Sequence, residues 1–193
     1  PFGRSVDIGF PDLLARLRVD RNHLIGSSGD EQVAIGERGP FHTLLEEFRR
    51  HFDGIDVLVT GVEVPGGEAE PFEGVRFHVG PASRLGRVNW LARKGHKLIG
   101  AYGHGLVVSH DYGLFHNGKA AARISKGSGV PWVSELHHVP GHPIAAGLGE
   151  RLEFTLARRF VRWATPRVRA FRVVNATEMP ALLEGWGVPS QKV

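Results

Sequence analysis

The ionisable side chains of this sequence gather in short runs, each following an apolar stretch. Ser109-His110-Asp111-Tyr112 closes one stretch, Glu135-Leu136-His137-His138 another, and Pro140-Gly141-His142 follows soon after. Histidines near carboxylates can pass protons, hold a polar substrate or ligate a metal. His110, Asp111 and His116 form one conceivable ligand group, and His137, His138 and His142 a second. Neither has the H-E-x-x-H spacing that sets two imidazoles on one helix face. His137 and His138, adjacent on extended chain, point to opposite sides. No metal site is expected. His137 alone could equally be a strand-end histidine with satisfied hydrogen bonds. No G-x-S-x-G elbow is present, which removes the usual serine-hydrolase arrangement.

A second feature is a glycine-rich stretch, with Gly26, Gly29, Gly36 and Gly39 running up to Pro40. Bare backbone N–H groups leading into a helix can cradle a phosphate, and Pro suits the first helical position. The stretch spells neither G-x-G-x-x-G nor G-x-x-x-x-G-K-[ST], so nicotinamide and P-loop sites lack their fingerprints. An ordinary surface loop would carry the same glycines.

Composition narrows the choices. The chain has no cysteine, which excludes disulfides, thiol catalysis and Cys-ligated zinc. Its 193 residues suit one domain. The 24 Lys and Arg outnumber the 20 Asp and Glu, and the net charge of +4 favours phosphate-bearing partners. No nucleic-acid motif is visible, and none is expected as partner. No apolar run reaches membrane-span length and no signal peptide is visible, so a cytoplasmic protein is expected. Arg151, Arg158 and Arg162 share one face of a long helix. They suit a solvated surface, a phosphate-bearing ligand or an anionic membrane, so peripheral membrane association stays open.

The elements that would position these residues alternate regularly. Strands are expected at residues 22–28, 55–59, 75–79, 105–109, 130–136 and 170–174. Helices are expected from Pro40 to about Asp53, from Val88 to Tyr102, from after Asp111 to Gly127, and from about Gly149 to Ala164. A short final helix would be capped by Asn175 and Glu178. Leu152, Leu156, Phe160 and Trp163 would form the packing stripe of the long helix. Residues 1–21 read as a lead-in with one helical turn, and the Gly/Glu/Pro-rich stretch after the second strand as a loop. The strands are continuously apolar. That predicts an α/β, Rossmann-like parallel sheet with helices on both faces. In such sheets ligands bind at the carboxyl ends of the strands, where the polar runs lie.

Taken in order, GPFHTLLEEFRRHF, GLVVSHDYG, GKAAARIS, GVPWVSELHH, RRFVRWA and FRVVNATEMPALLEGWGVPSQKV resemble the N-terminal domain of the family-4 retaining glycosyltransferases with the GT-B fold. The resemblance runs from Asn22 to Val193. It implies an acceptor-binding domain whose donor-binding C-terminal partner domain is absent from this chain. It also implies transfer of a sugar from a nucleotide-sugar to an acceptor hydroxyl, without a cofactor and with little turnover by this domain alone. By position, Gly36 and Gly39 would meet the donor diphosphate, although the family's adjacent glycines are split here as Gly36-Glu37-Arg38-Gly39. His137 would stand at the reaction centre, with Asp111, His138 and Arg151 on the acceptor side. The alternative is a stand-alone Rossmann-like nucleotide-binding module or a sugar-nucleotide-modifying enzyme.

Overall fold

A computed structural model describes residues 10–17, 23–27, 33–34, 38–61, 64–81, 83, 85–173 and 177–193. The chain runs α1 (Phe10–Leu17), β1 (His23–Ser27), α2 (Pro40–Arg49), β2 (Gly54–Thr60), β3 (Glu68–Phe72), β4 (Val75–Gly80), α3 (Arg87–Tyr102), β5 (His104–His110), α4 (His116–Ser128), β6 (Trp132–Leu136), α5 (Leu148–Ala164), β7 (Ala170–Val173) and α6 (Glu178–Gly185). The strands lie in the order β3-β4-β2-β1-β5-β6-β7. All pairs are parallel except β3 with β4. β1 is central, and the chain builds outward to one side before crossing to β5 on the other. The switch point therefore falls between β1 and β5, where an open α/β sheet leaves a crevice at its carboxyl edge.

Side-chain alternation assigns the two faces. Ile25, Leu58, Val107, Trp132 and Phe171 point toward α3, α4, α5 and α6. Leu24, Val57, Phe77, Val108 and Val133 point toward α1 and α2. Both faces are covered, which is why the strands carry no polar/apolar alternation.

Three sequence expectations are corrected. The stretch before β4 is not all loop: Glu68–Phe72 forms an antiparallel edge strand, returned by a turn in which Gly74 has φ 76°. Its sequence, EAEPF, has poor strand propensity, so the hairpin and not the residue pattern specifies it. The segment before Asn22 is not only a lead-in, because Leu13 and Leu14 of α1 are buried in the same core as Phe41, Leu45 and Phe48 of α2. The packing stripe of α5 is rotated from the expected one. Ala157, Phe160, Val161 and Ala164 face the core, whereas Leu152 is 61% exposed and Trp163 37%. Small alanines beside Phe160 and Val161 permit close helix–sheet approach, and Leu152 and Trp163 are left toward the outside. The expected cap Asn175 lies outside the described residues, and Thr177 is the N-cap of α6.

A charged cluster is buried toward the amino ends of the strands. Asp56 of β2 is fully buried and accepts hydrogen bonds from Arg76 (2.8 Å) and His78 (2.6 Å) of β4, and from His104 (2.8 Å) of β5. Burial alone would raise the Asp56 pKa. The bonds from His104 and His78, with the Arg76 charge, more than reverse this and hold the carboxyl well below its usual range. His78 also meets Glu68, which Lys94 of α3 pairs at 2.9 Å.

Candidate functional site

At the opposite, carboxyl end of the sheet, register places three ionisable residues in one row. His110 of β5 is the cross-strand partner of Glu135 in β6, and Glu135 is the partner of Arg172 in β7. Parallel neighbours stand about 4.8 Å apart with side chains on the same face, here the face covered by α2. His137, two residues after Glu135, returns to that side as extended chain requires. Glu135 is buried, and Arg172 donates to its Oε1. His110 Nε2 stands 2.8 Å and His137 Nε2 3.8 Å from Oε2, which has no aligned hydrogen-bond partner. The two imidazole rings are 5.0 Å apart, and the His137 side chain is 48% exposed. One buried carboxylate thus holds two imidazoles, one sheltered and one reaching the cleft.

The Glu135 carboxylate stays ionised despite its burial. Desolvation would raise its pKa, but the His110 charge and contact, the His137 contact and the Arg172 charge outweigh it and hold it well below the ordinary value.

The start of α2 lies against this row, with the Phe41 ring edge-on to His110 at 5.1 Å. Its N-cap, Gly39, supplies no side-chain hydrogen bond; Pro40 follows, and no acid lies in the first turn. The N–H groups of Phe41 and His42 have no intrahelical acceptor, and the helix dipole adds partial positive charge there. An anion at these N–H groups would lie beside the His110–Glu135 pair. His110, Glu135 and His137 also place three donor atoms within 4.8 Å of one another, close enough for a divalent ion, although Arg172 already neutralises the carboxylate.

The other expected site residues are dispersed. Gly36 lies outside the described residues. Gly39 is extended, with open space where a Cβ would be, so helix start and not close approach explains it. His138 is exposed beside His137, and Arg151 is exposed in the first turns of α5, on the sheet's other face. Asp111 faces no cleft. It is buried on the side of α4, where its Oδ2 accepts hydrogen bonds from Ser109 and Ser134, both at 2.6 Å. Ser109 in turn accepts from the Trp132 indole at 2.8 Å. A Cβ on Gly118 would stand 2.6 Å from Asp111 Oδ1 and 2.4 Å from the Phe160 ring, so only glycine fits there.

Burial pushes the Asp111 pKa up to about 7, against the opposing bonds from Ser109, Ser134 and the Gly118 backbone. A raised folded-state pKa favours the neutral acid. Its contribution to stability is complete below the unfolded value near 4 and is lost as pH rises through about 7. Asp111→Asn should therefore gain thermal stability relative to the parent as pH rises from about 4 to about 7. Parallel melting curves across that range would refute the assignment.

Next to Asp111, a cavity of about 320 Å³ opens at the start of α4, lined by Tyr112, His116, Asn117, Arg87 and Glu153 among others. Asn117 donates to the His110 carbonyl at 2.9 Å, tying this cavity to the His110 row. Phe115, the N-cap of α4, holds φ at 55° and stacks on Phe160 at 4.3 Å. A bulky residue in the left-handed region is uncommon, and such strain is often found beside binding sites.

His110 and Glu135 stand in the polar runs read from the sequence, but without assigned site roles, and Arg172 is not singled out there. The i, i+2 relation of Glu135 to His137 was a legible signal, but pairing with His110 and Arg172 needs the strand register.

Among curated proteins, none matches this chain. Among solved structures, it is similar to UDP-GlcNAc 2-epimerase from Neisseria meningitidis bound to UDP-GlcNAc. The TM-score is 0.54 at 10% identity, over 89% of this chain and 44% of that one. A putative UDP-N-acetylglucosamine 2-epimerase from Listeria monocytogenes gives TM-score 0.54 at 10% identity, over 90% of this chain and 44% of that one. The likeness is one of fold, and this chain spans less than half the length of either. The model of the glycosyl transferase 4-like domain matches residues 36–193, and with the doubly covered Rossmann-like sheet this places the chain in that family.

Proposed function

We propose that this chain is the acceptor-binding domain of a retaining glycosyltransferase that takes its sugar from a nucleotide-sugar. The observation that carries the reading is the His110–Glu135–Arg172 row with His137 projecting from it, set beside the uncapped start of α2 at the switch point. Glycosyl transfer leaves negative charge on the departing diphosphate, and preorganised donors stabilise it best. In this reading the α2 N–H groups and Arg172 face the diphosphate, and no metal is needed to hold it. His137, held by Glu135, stands at the transferred sugar. The acceptor enters the 320 Å³ cavity, whose mixed polar lining suits a hydroxylated molecule. A donor-binding domain supplies most of the nucleotide contacts, so the isolated chain binds nucleotide-sugars weakly.

The test joins this chain to a donor-binding half of the same family and measures sugar transfer. The joined protein should turn over, and His137→Ala should lower kcat by roughly 100-fold, the scale of one positioned polar group. Normal turnover of His137→Ala would remove that residue from the reaction centre. Tight binding of UDP or NAD by the 193-residue chain alone would instead favour a self-sufficient nucleotide-binding module.

A further inference from the structure

The larger cavity lies away from the Glu135 row, on the sheet's other face. It is a groove of about 540 Å³ between α4 and α5. Its floor is apolar, built from Leu114, Phe115, Leu156, Phe160 and Trp163. Its rim is cationic, with Lys119, Arg123 and Lys126 from α4, and Arg159 and Arg167 from α5 and its end. No acidic side chain lines it. Lys119, Arg123 and Arg167 donate to neutral oxygens of Leu114, Asn89 and Trp163, and among the described residues none of the five cations pairs with a carboxylate.

The surface of α5 extends the same chemistry. Leu148, Leu152, Leu156 and Trp163 lie at offsets of four, eight and fifteen residues, so they share one side of the helix. Leu148 is 83% exposed and Leu152 61%. Arg151, Arg158 and Arg162 run along one flank of this stripe, and the α4 cations lie beyond the other. An exposed apolar stripe between cationic flanks is the pattern of a helix lying in a bilayer interface. Among the described residues, no helix is long and apolar enough to cross a membrane.

We infer that the α4–α5 face docks on an anionic bilayer, with the α5 stripe in the interface and an acyl chain in the groove. Charge complementarity selects the occupant, since an unpaired cationic rim around an apolar floor matches an anionic headgroup above a hydrocarbon chain. The groove shares Leu114 and Leu156 with the 320 Å³ cavity, so docking brings that cavity to the bilayer surface. The inference does not depend on sugar transfer, because vesicle binding needs no donor.

The experiment uses the 193-residue chain with sedimented vesicles of phosphatidylcholine alone, or mixed equally with phosphatidylglycerol. Binding to the mixed vesicles should be at least roughly tenfold tighter and should weaken with salt, as a few cations near an anionic surface require. Replacing Lys119, Arg123 and Lys126 together by Glu should abolish that preference while circular dichroism stays unchanged. Lipids brominated on the acyl chain should quench tryptophan fluorescence, and Trp163→Phe should remove most of the quenching without removing binding. Equal binding to both vesicles, or none to either at low salt, overturns the inference. Binding without quenching overturns the seating of a chain in the groove. Uptake of monomeric dodecyl phosphate without vesicle binding assigns the groove to a soluble amphiphile and overturns the bilayer.

Discussion

Asp56→Ala is expected to be the most damaging single substitution in the described fold. The carboxylate binds β2 to β4 through Arg76 and His78, and to β5 through His104, across the central β1. Removing it leaves the Arg76 guanidinium partly buried beside two buried imidazoles, of which His78 keeps a carboxylate partner in Glu68 while His104 and Arg76 lose theirs. Breaking such a pair from one side typically costs about 3–5 kcal/mol. Arg76 keeps some solvent contact, which favours the lower end. For a domain of this size, roughly 3 kcal/mol corresponds to a melting point lower by about 10 °C. Asp56→Asn should lose less, because the amide oxygen still accepts one of the bonds.

The pH dependence carries a definite sign. The Asp56 pKa is lowered on folding, so its stabilisation is present above the unfolded value near 4 and is lost as pH falls toward the lower folded value. The gap between parent and Asp56→Ala melting points should therefore narrow steadily below about pH 4. Equal melting points at neutral pH would show that the cluster is not holding the strands.

Glu135→Gln should cost as much activity as His137→Ala when the chain is joined to a donor-binding half. The amide keeps the size of the carboxylate and an oxygen for Arg172, so the fold should survive. It loses the charge, and its NH2 group now faces His110 or His137. An imidazole meeting that NH2 group must turn a lone pair and not an N–H toward it, which restricts its tautomer. Expected is a fall in kcat of roughly 100-fold with KM little changed, the signature of an interaction made mainly in the transition state. A raised KM at unchanged kcat would make Glu135 a ground-state binding group. Unchanged kinetics would leave it structural only.

The sheet was readable from sequence because buried parallel strands are written as unbroken apolar runs, and five of the helices lie close to where their periodicity puts them. The failures share a physical cause: each depends on something other than local pattern. β3 is specified by its hairpin. The α5 stripe was misplaced because hydrophobicity does not say that small alanines, not leucines, will face the sheet. At the candidate site, His137 was legible as a polar residue ending an apolar strand. The grouping of Glu135, His110 and Arg172 is not legible, because their proximity comes from the register of three strands far apart in the chain. Asp111 shows the converse. Its position after β5 looks like a ligand-facing place, yet the Ser109 and Ser134 hydroxyls draw it inward beneath α4.

The antiparallel strand β3 has a consequence for how the molecule behaves in company. A parallel sheet ending at β4 would offer a row of unpaired backbone groups with the apolar side chains of Val75, Phe77 and Val79 behind it. β3 covers that row with a short strand bearing Glu68, Glu70 and Pro71, and its register with β4 is broken between Ala69 and Phe72. Proline removes one donor, the irregular register spoils the template, and like charges repel a second copy. The residues least suited to forming a strand are thus well suited to ending a sheet, and they protect the chain from growing edge to edge into aggregates.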